Sequence, residues 1–547
     1  TVTFRDIQNA NGTDIRIIDT NLNHLYTYDT NAYESLFGGN DDVVDIYLQQ
    51  VDGSTITLEN VTSVQNTPGG GQRSHVDRVN ITSDERAQVN VTPDNYVWEL
   101  NVGPVFEELF IDGNANLEIE KFLDESVKLV DATELNADLA LDLLAQGNRF
   151  STNGDPLDLL TVKGAQGDDS IDVRGVGQDR GANGDYNLGT GDDLLRVGNS
   201  SDEAYFAEHT TGHNVVDSGP GDNTVVLNAT GLQDVTTGEG DDTIYINGDV
   251  DDLRTSVYGD GVSTINTGAG DDFVYINGQV NDGQTDYASA NRGQGDYEID
   301  LGEGDDYLEM HVDGNQTIAA GEGNDIVWIE GNGVHDIDLG NGDNYLLIQG
   351  SRVEDNNVDN TIEDLQTKIV AGDGDDIVVI NGDHYLNVDL GAGDDQIVLL
   401  ANELTVDDVI DGGEGRDTLS LRNLTNGIVT TGISETSSVT SIEVFDLWDT
   451  RQVLKLSSDN FDTAEDNHIT VKTTNSRSDD LAVLTINGQV AVEFEQGISR
   501  AEYNEIRTNW ANGVYDQYAG GPVTLEDWLI GQSPIFNPNA VDAVDFA

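Results

Sequence analysis

Eleven blocks between residues 160 and 422 share one order: glycines, an acidic pair, then aliphatics at alternate positions, as in "LGAGDDQIVLL" (390–400). The blocks align on their second acidic or amide residue: Asp169, Asp193, Asn223, Asp242, Asp272, Asp306, Asp325, Asn344, Asp376, Asp395 and Asp417. Two residues later stand Ile171, Leu195, Val225, Ile244, Val274, Leu308, Val327, Leu346, Val378, Ile397 and Leu419. Four residues later stand Val173, Val197, Leu227, Ile246, Ile276, Met310, Ile329, Ile348, Ile380, Leu399 and Leu421. All of these are aliphatic or Met, which chance does not give in a chain that is 37% hydrophobic. Strict period two predicts a short strand with one buried face, entered through a glycine turn.

Spacing turns the strands into an architecture. Blocks at 223 and 242, at 306, 325 and 344, and at 376 and 395 lie 19 residues apart. A second strand and turn fit between them: in "VVINGDHYLNVDLGAGDD" (378–395) the "NG" pair turns the chain and Leu386, Val388 and Leu390 alternate inward. One coil is strand, turn, strand, turn, and a fixed period of this length marks a solenoid. Wider intervals of 22 to 34 residues call for loop insertions such as 351–367.

Stacked coils place equivalent residues roughly 4.8 Å apart. Two carboxylates at that distance repel by roughly 0.9 kcal/mol in water, and by about four times as much at an effective dielectric of 20. A column of them needs something positive between the rungs, and Lys plus Arg number 24 against 103 Asp plus Glu. Calcium suits the composition, being a hard cation that takes six to eight carboxylate and carbonyl oxygens. With no Cys in the chain and its His scattered, zinc and copper are disfavoured.

Residues 412–420, "GGEGRDTLS", fit the nine-residue G-G-x-G-x-D-x-U-x pattern at every fixed position, and the chain resembles the RTX proteins over about residues 160–422. The resemblance implies a parallel β-roll with calcium held between turns by the Asp and by turn carbonyls. It therefore implies ligand roles for the eleven aligned residues, Asn223 and Asn344 acting through their amide oxygens. It implies the same for the residues just before them: Asp168, Asp192, Asp222, Asp241, Asp271, Asp305, Asn324, Asp343, Asp375 and Asp394. Nine blocks depart from the pattern at the first Gly (Leu390, Thr237 and Ser218 are examples), and at 164–169 the first is kept as Gly164 but the next Gly is Ala165. Roughly ten or more calcium ions are expected.

The expected organisation is all-β: an N-terminal β-rich, solenoid-like region (1–155), a calcium β-roll (156–422), and a C-terminal β-rich region (423–547) with a short helix. "VKLVDATELNADLALDL" and "SSVTSIEVFDLWD" resemble solenoid segments that flank RTX repeats in bacterial surface proteins, although "ESVKLVDATELNADLALDLLA" also reads as helix by composition. "AEYNEIRTNWANGVYDQYA" (501–519) reads as helix, and the final "NPNAVDAVDFA" resembles the C-terminal signals of type I secretion substrates. On the outward strand faces, Tyr245, Phe273, Tyr275, Tyr307, Trp328 and Tyr345 either simply suit a strand surface or form an exposed apolar stripe.

The formal charge of −79 excludes a nucleic-acid or anionic-membrane partner, and also fits a salt-adapted surface. No apolar run is long enough to span a membrane. The sequence contains no HExxH, no GxSxG and no Cys nucleophile. These readings converge on a secreted, calcium-binding, non-enzymatic structural protein that partners itself in a filament, S-layer or matrix. The alternative is a calcium-stiffened adhesin or glycan-binding surface protein.

Overall fold

A computed structural model describes residues 2–7, 13–20, 24–29, 43–61, 78–84, 95–101, 107–121, 127–145, 159–175, 183–198, 210–211, 213–230, 232–247, 262–277, 295–350, 366–400, 404–405, 407–422, 429–432, 438–447, 452–457, 468–473, 485–487 and 491–496. Every helix or strand among them is a β-strand. No helix among the described residues is long and apolar enough to cross a membrane. The helix expected at 501–519 and the C-terminal signal lie outside the described residues.

The chain forms two compact units, Thr1–Gly268 with Asn277–Gly293, and Ala269–Ile276 with Gln294–Ala547. Both are parallel β-solenoids, in which each strand pairs with the strand one coil further on. In the first unit one face stacks Leu139–Ala145, Ser170–Gly175, Leu194–Val197, Thr224–Leu227 and Thr243–Asn247. Its other face stacks Leu129–Leu135, Leu159–Lys163, Asn183–Asn187, Asn214–Asp217 and Gln233–Glu239.

The second unit repeats the plan. Tyr307–His311, Ile326–Glu330, Tyr345–Gln349, Ile377–Asn381, Gln396–Leu400, Thr418–Arg422 and Val444–Leu447 form one face. Asp296–Asp300, Gln316–Ala319, His335–Asp338, Gln366–Val370, Tyr385–Asp389, Val409–Asp411 and Ser438–Thr440 form the other. The 19-residue coil is visible in the register, with Ile326 opposite Tyr345 and Gln316 opposite His335. The insertion before 366 stretches one step to 32 residues, Tyr345 opposite Ile377, and leaves the register intact.

The core is the inside of the coil. Leu308, Met310, Val327, Ile329, Leu346, Ile348, Val378, Ile380, Ile397 and Leu399 are all buried, as are Leu386, Val388 and Leu390 from the opposite strand. Each such side chain contributes roughly 1.5–3 kcal/mol of hydrophobic stabilisation relative to exposure. The same plan runs through residues before 155: Arg78–Ser83 pairs with Glu108–Gly113, and that strand with Leu129–Leu135. The segment that also reads as helix is therefore two strands, Leu129–Leu135 and Leu139–Ala145, with Val130, Ala132, Leu141 and Leu143 inside.

The outward aromatics do not form an exposed stripe in the second unit. Leu347, Val379 and Val398 on the outer side of their sheet are only 1–2% exposed, and Trp328 and Tyr345 pack against them. Tyr307 is 9% exposed and stacks on Phe273 with ring centroids 5.3 Å apart.

Candidate metal centre: stacked carboxylates in the glycine turns

Every repeat but the first, which has Ala165 and Gly167, enters its strand through a turn whose two glycines have positive φ, as at Gly302 (101°) and Gly304 (143°), and Gly321 (112°) and Gly323 (140°). L-residues with a side chain rarely adopt this conformation. The stacking is also too close for a Cβ: one built on Gly323 would lie 1.8 Å from the Gly304 carbonyl oxygen. The residues between the glycines join neighbouring coils by parallel bridges, Glu303 to Glu322 to Asn341 and Asp373 to Ala392 to Glu414. The first Gly of the RTX pattern, Gly412, lacks the positive φ, although a Cβ built on it would lie 1.9 Å from the Ser441 carbonyl oxygen, and most repeats carry a side chain at this position. Its replacements Ser218, Thr237 and Leu390 point inward and are fully buried.

In each unit the second acidic residues form an inner column, all of them at most 2% exposed. In the second unit, Oδ1 of Asp306, Asp325, Asn344, Asp376, Asp395 and Asp417 accepts the backbone N–H of the equivalent residue one coil earlier, at 2.8–3.0 Å. In the first unit, Asp193, Asn223 and Asp242 do the same at 2.7–3.0 Å, and Asp169 accepts from Leu139 at 2.9 Å. The positive partner between rungs thus includes a main-chain amide, which the repulsion argument did not foresee.

The first acidic residues form an outer column at the rim, and its hydrogen bonds run the other way. Asp271, Asp305, Asn324, Asp343 and Asp375 accept from the N–H of the equivalent residue one coil later, at 2.7–2.9 Å, and Asp394 accepts from Arg416 at 3.0 Å. Asp168, Asp192 and Asp222 behave alike, accepting from Asp192, Asp222 and Asp241 at 3.0 Å. These side chains are exposed, apart from a half-buried Asp271.

The inner column is where the chemistry is unbalanced. Its carboxylates use Oδ1, while Oδ2 of Asp193, Asp306, Asp325, Asp395 and Asp417 is buried without a hydrogen-bond partner. A buried, ionised, half-satisfied carboxylate is costly. Burial accordingly pushes Asp169 and Asp306 up to about 8, Asp193, Asp325, Asp376 and Asp417 to about 7, and Asp242 and Asp395 to about 6, against the opposing effect of their hydrogen bonds. The set fits a hard cation: it is all oxygen, and its spare acceptors lie in turns rich in main-chain carbonyls. Among the described residues no three His, Asp or Glu side chains converge on one point, so a cation here would draw on turn carbonyls as well as carboxylates.

Further members of the columns lie outside the aligned blocks. Glu443 closes the inner column, its Oε2 accepting from Asp417 N at 2.9 Å. Its signal was present, since Phe445 and Leu447 follow at the alternate positions. Upstream, the outer column continues through Asn116, whose Oδ1 accepts from Asp138 N at 3.1 Å, and through Asp138, which accepts from Asp168 N at 3.1 Å. There Leu139 occupies the inner position, with Leu141 and Leu143 after it, so no acidic pair marks the block. His213 instead faces Asp234 at 2.6 Å.

No protein-family model, no curated protein and no solved structure gives a significant match to this chain.

Proposed function

We propose that this is a secreted calcium-binding structural protein that folds on calcium and assembles with copies of itself outside the cell, in the manner of the RTX proteins it resembles. The observation that carries the reading is the recurring buried Oδ2 without a partner at Asp193, Asp306, Asp325, Asp395 and Asp417. In each of these residues Oδ1 is tied to the backbone, so the side chain is oriented before any ion arrives. Oδ2 and the neighbouring turn carbonyls would hold the ion, and the ion supplies the positive charge that lets the carboxylates stay ionised and buried.

The consequences follow from linkage. A chain of net charge −79 in low calcium is held open by its own repulsion. Extracellular calcium sites fill at about 10⁻⁴–10⁻³ M, and binding free energy then becomes folding free energy. Self-assembly rests on a general property of solenoids, whose terminal strands carry unpaired backbone edges available to another copy. The role is structural, with no catalytic step.

The test is a calcium titration followed by circular dichroism, with negative-stain microscopy at both ends. The expected result is full β-signal and ordered filaments or lattices in millimolar calcium, and a strongly reduced β-signal with no assembly in EGTA. A calcium-independent spectrum would refute the folding trigger. Well-folded monomers that bind a glycan array would replace assembly with the adhesin reading.

A further inference from the structure

The two inner rungs that carry Asn are connected differently from the Asp rungs. Asn223 Oδ1 accepts from Asp193 N at 3.0 Å, as an Asp would, but its Nδ2 donates to the carbonyls of Gly219 and Gly221, both at 2.9 Å. Asn344 repeats the arrangement, with Oδ1 on Asp325 N at 2.9 Å and Nδ2 on Gly342 O at 3.0 Å. Each amide also reaches the carboxylate of the next rung, Asn223 that of Asp242 and Asn344 that of Asp376. The amide orientation is dictated by its surroundings. Rotated by half a turn, it would set an oxygen against carbonyl oxygens and an NH₂ against a backbone N–H.

The atom in the corresponding place on the Asp rungs is a second acceptor. At Asp193, Asp306, Asp325, Asp395 and Asp417 it has no donor, in an environment with almost no exposure. The Asn amide nitrogen therefore sits where an Asp rung lacks a positive group, bound to the turn carbonyls and to the neighbouring carboxylate. A third rung shows the same substitution by other means. The turn at Ala165 departs from the repeat, and Ala165 N donates to Asp169 Oδ2 at 2.6 Å.

We propose that Asn223 and Asn344 are built-in replacements for a bound cation: these rungs stay free of metal and hold their coils together at calcium levels where the Asp rungs are empty. The proposal rests on the calcium reading of the Asp rungs. It reverses the expectation that both Asn residues ligate through the amide oxygen, because that oxygen is already committed to a backbone N–H.

The full-length chain and its Asn344→Asp and Asp325→Asn variants test this by calcium stoichiometry (calorimetry and native mass spectrometry) and by circular dichroism in EGTA. Asn344→Asp should bind about one more ion per chain and lose residual β-signal in EGTA; Asp325→Asn should bind about one fewer and gain β-signal in EGTA. Unchanged stoichiometry in Asn344→Asp, in a wild type that does bind calcium, would overturn the proposal and leave the calcium reading standing. A wild type that binds no calcium would sink the calcium reading and, with it, this proposal. Should Asn344→Asp fail to fold, Asp325→Asn decides: an EGTA signal no stronger than wild type overturns the proposal.

Discussion

The coils at 78–163 and those at 306–417 share one backbone plan and solve its electrostatics differently. In the first set, several charged side chains are paired within the chain. Arg78 pairs with Glu108, Lys128 with Glu107 and Lys163 with Asp131, each across one coil step. Inside, Asn95 accepts from Val51 N at 3.0 Å and donates to Ser83 Oγ at 2.8 Å. In the second set two acidic columns run through the turns, and the sequence from 293 to 415 offers only Arg352 and Lys368 as lysine or arginine. The same sheet register thus coexists with lysine and arginine ion pairs in one region and with stacked, buried carboxylates in the other. Coil geometry comes from the alternating aliphatics and glycines, and the proposed calcium dependence would be added by the choice of turn side chain.

That contrast breaks most visibly under chelation. In EGTA, hydrogen exchange followed by mass spectrometry should show amides of 306–417 losing protection while those of 78–145 keep it. Equal loss in both regions would erase the distinction. Acidity is the next lever. A carboxyl whose pKa rises on folding carries no penalty below its unfolded value of 3.8 and the full penalty above its folded value, here about 6 to 8. Without metal, the second region should therefore gain β-signal as pH falls from 8 to 5. In calcium the same change should weaken it by protonating the ligands. Circular dichroism against pH with and without EGTA gives both signs.

Smaller effects come from single residues. Gly323→Ala combines strain at φ 140° with a backbone clash, and should cost at least about 3 kcal/mol in calcium-loaded protein by denaturant titration. Asp325→Ala removes the acceptor of Asp306 N, and should cost about 1–3 kcal/mol together with one calcium site. Arg78→Ala should cost only about 0.2–1 kcal/mol, because its pair with Glu108 is more than a third exposed, and the loss should be indifferent to calcium.

Much of this was legible from residues alone. The inward positions after each acidic pair and the 19-residue step predict the strands, their faces and their parallel stacking. The opposite strands were harder to read, because several open on a polar inward residue: Gln233, Gln316, His335 and Thr367 are all buried at positions where the pattern expects an aliphatic. Around 129–145 the alternation is broken by "ATEL", which left strand and helix both open. The columns themselves were predicted, but not their internal connections. Which carboxylate oxygen meets a backbone amide depends on the register between coils, and sequence spacing does not reveal it.

Glu443 gives the inner column a defined last position, where a longer side chain reaches back to an amide that another aspartate would otherwise have served. Since the coils from Asp306 to Asp395 make the same two-way connection, a gene that duplicated or lost whole coils among them would still end that column on the same fitting. The length of that column can then drift in steps of one winding while the strands stacked beyond Glu443 need no redesign.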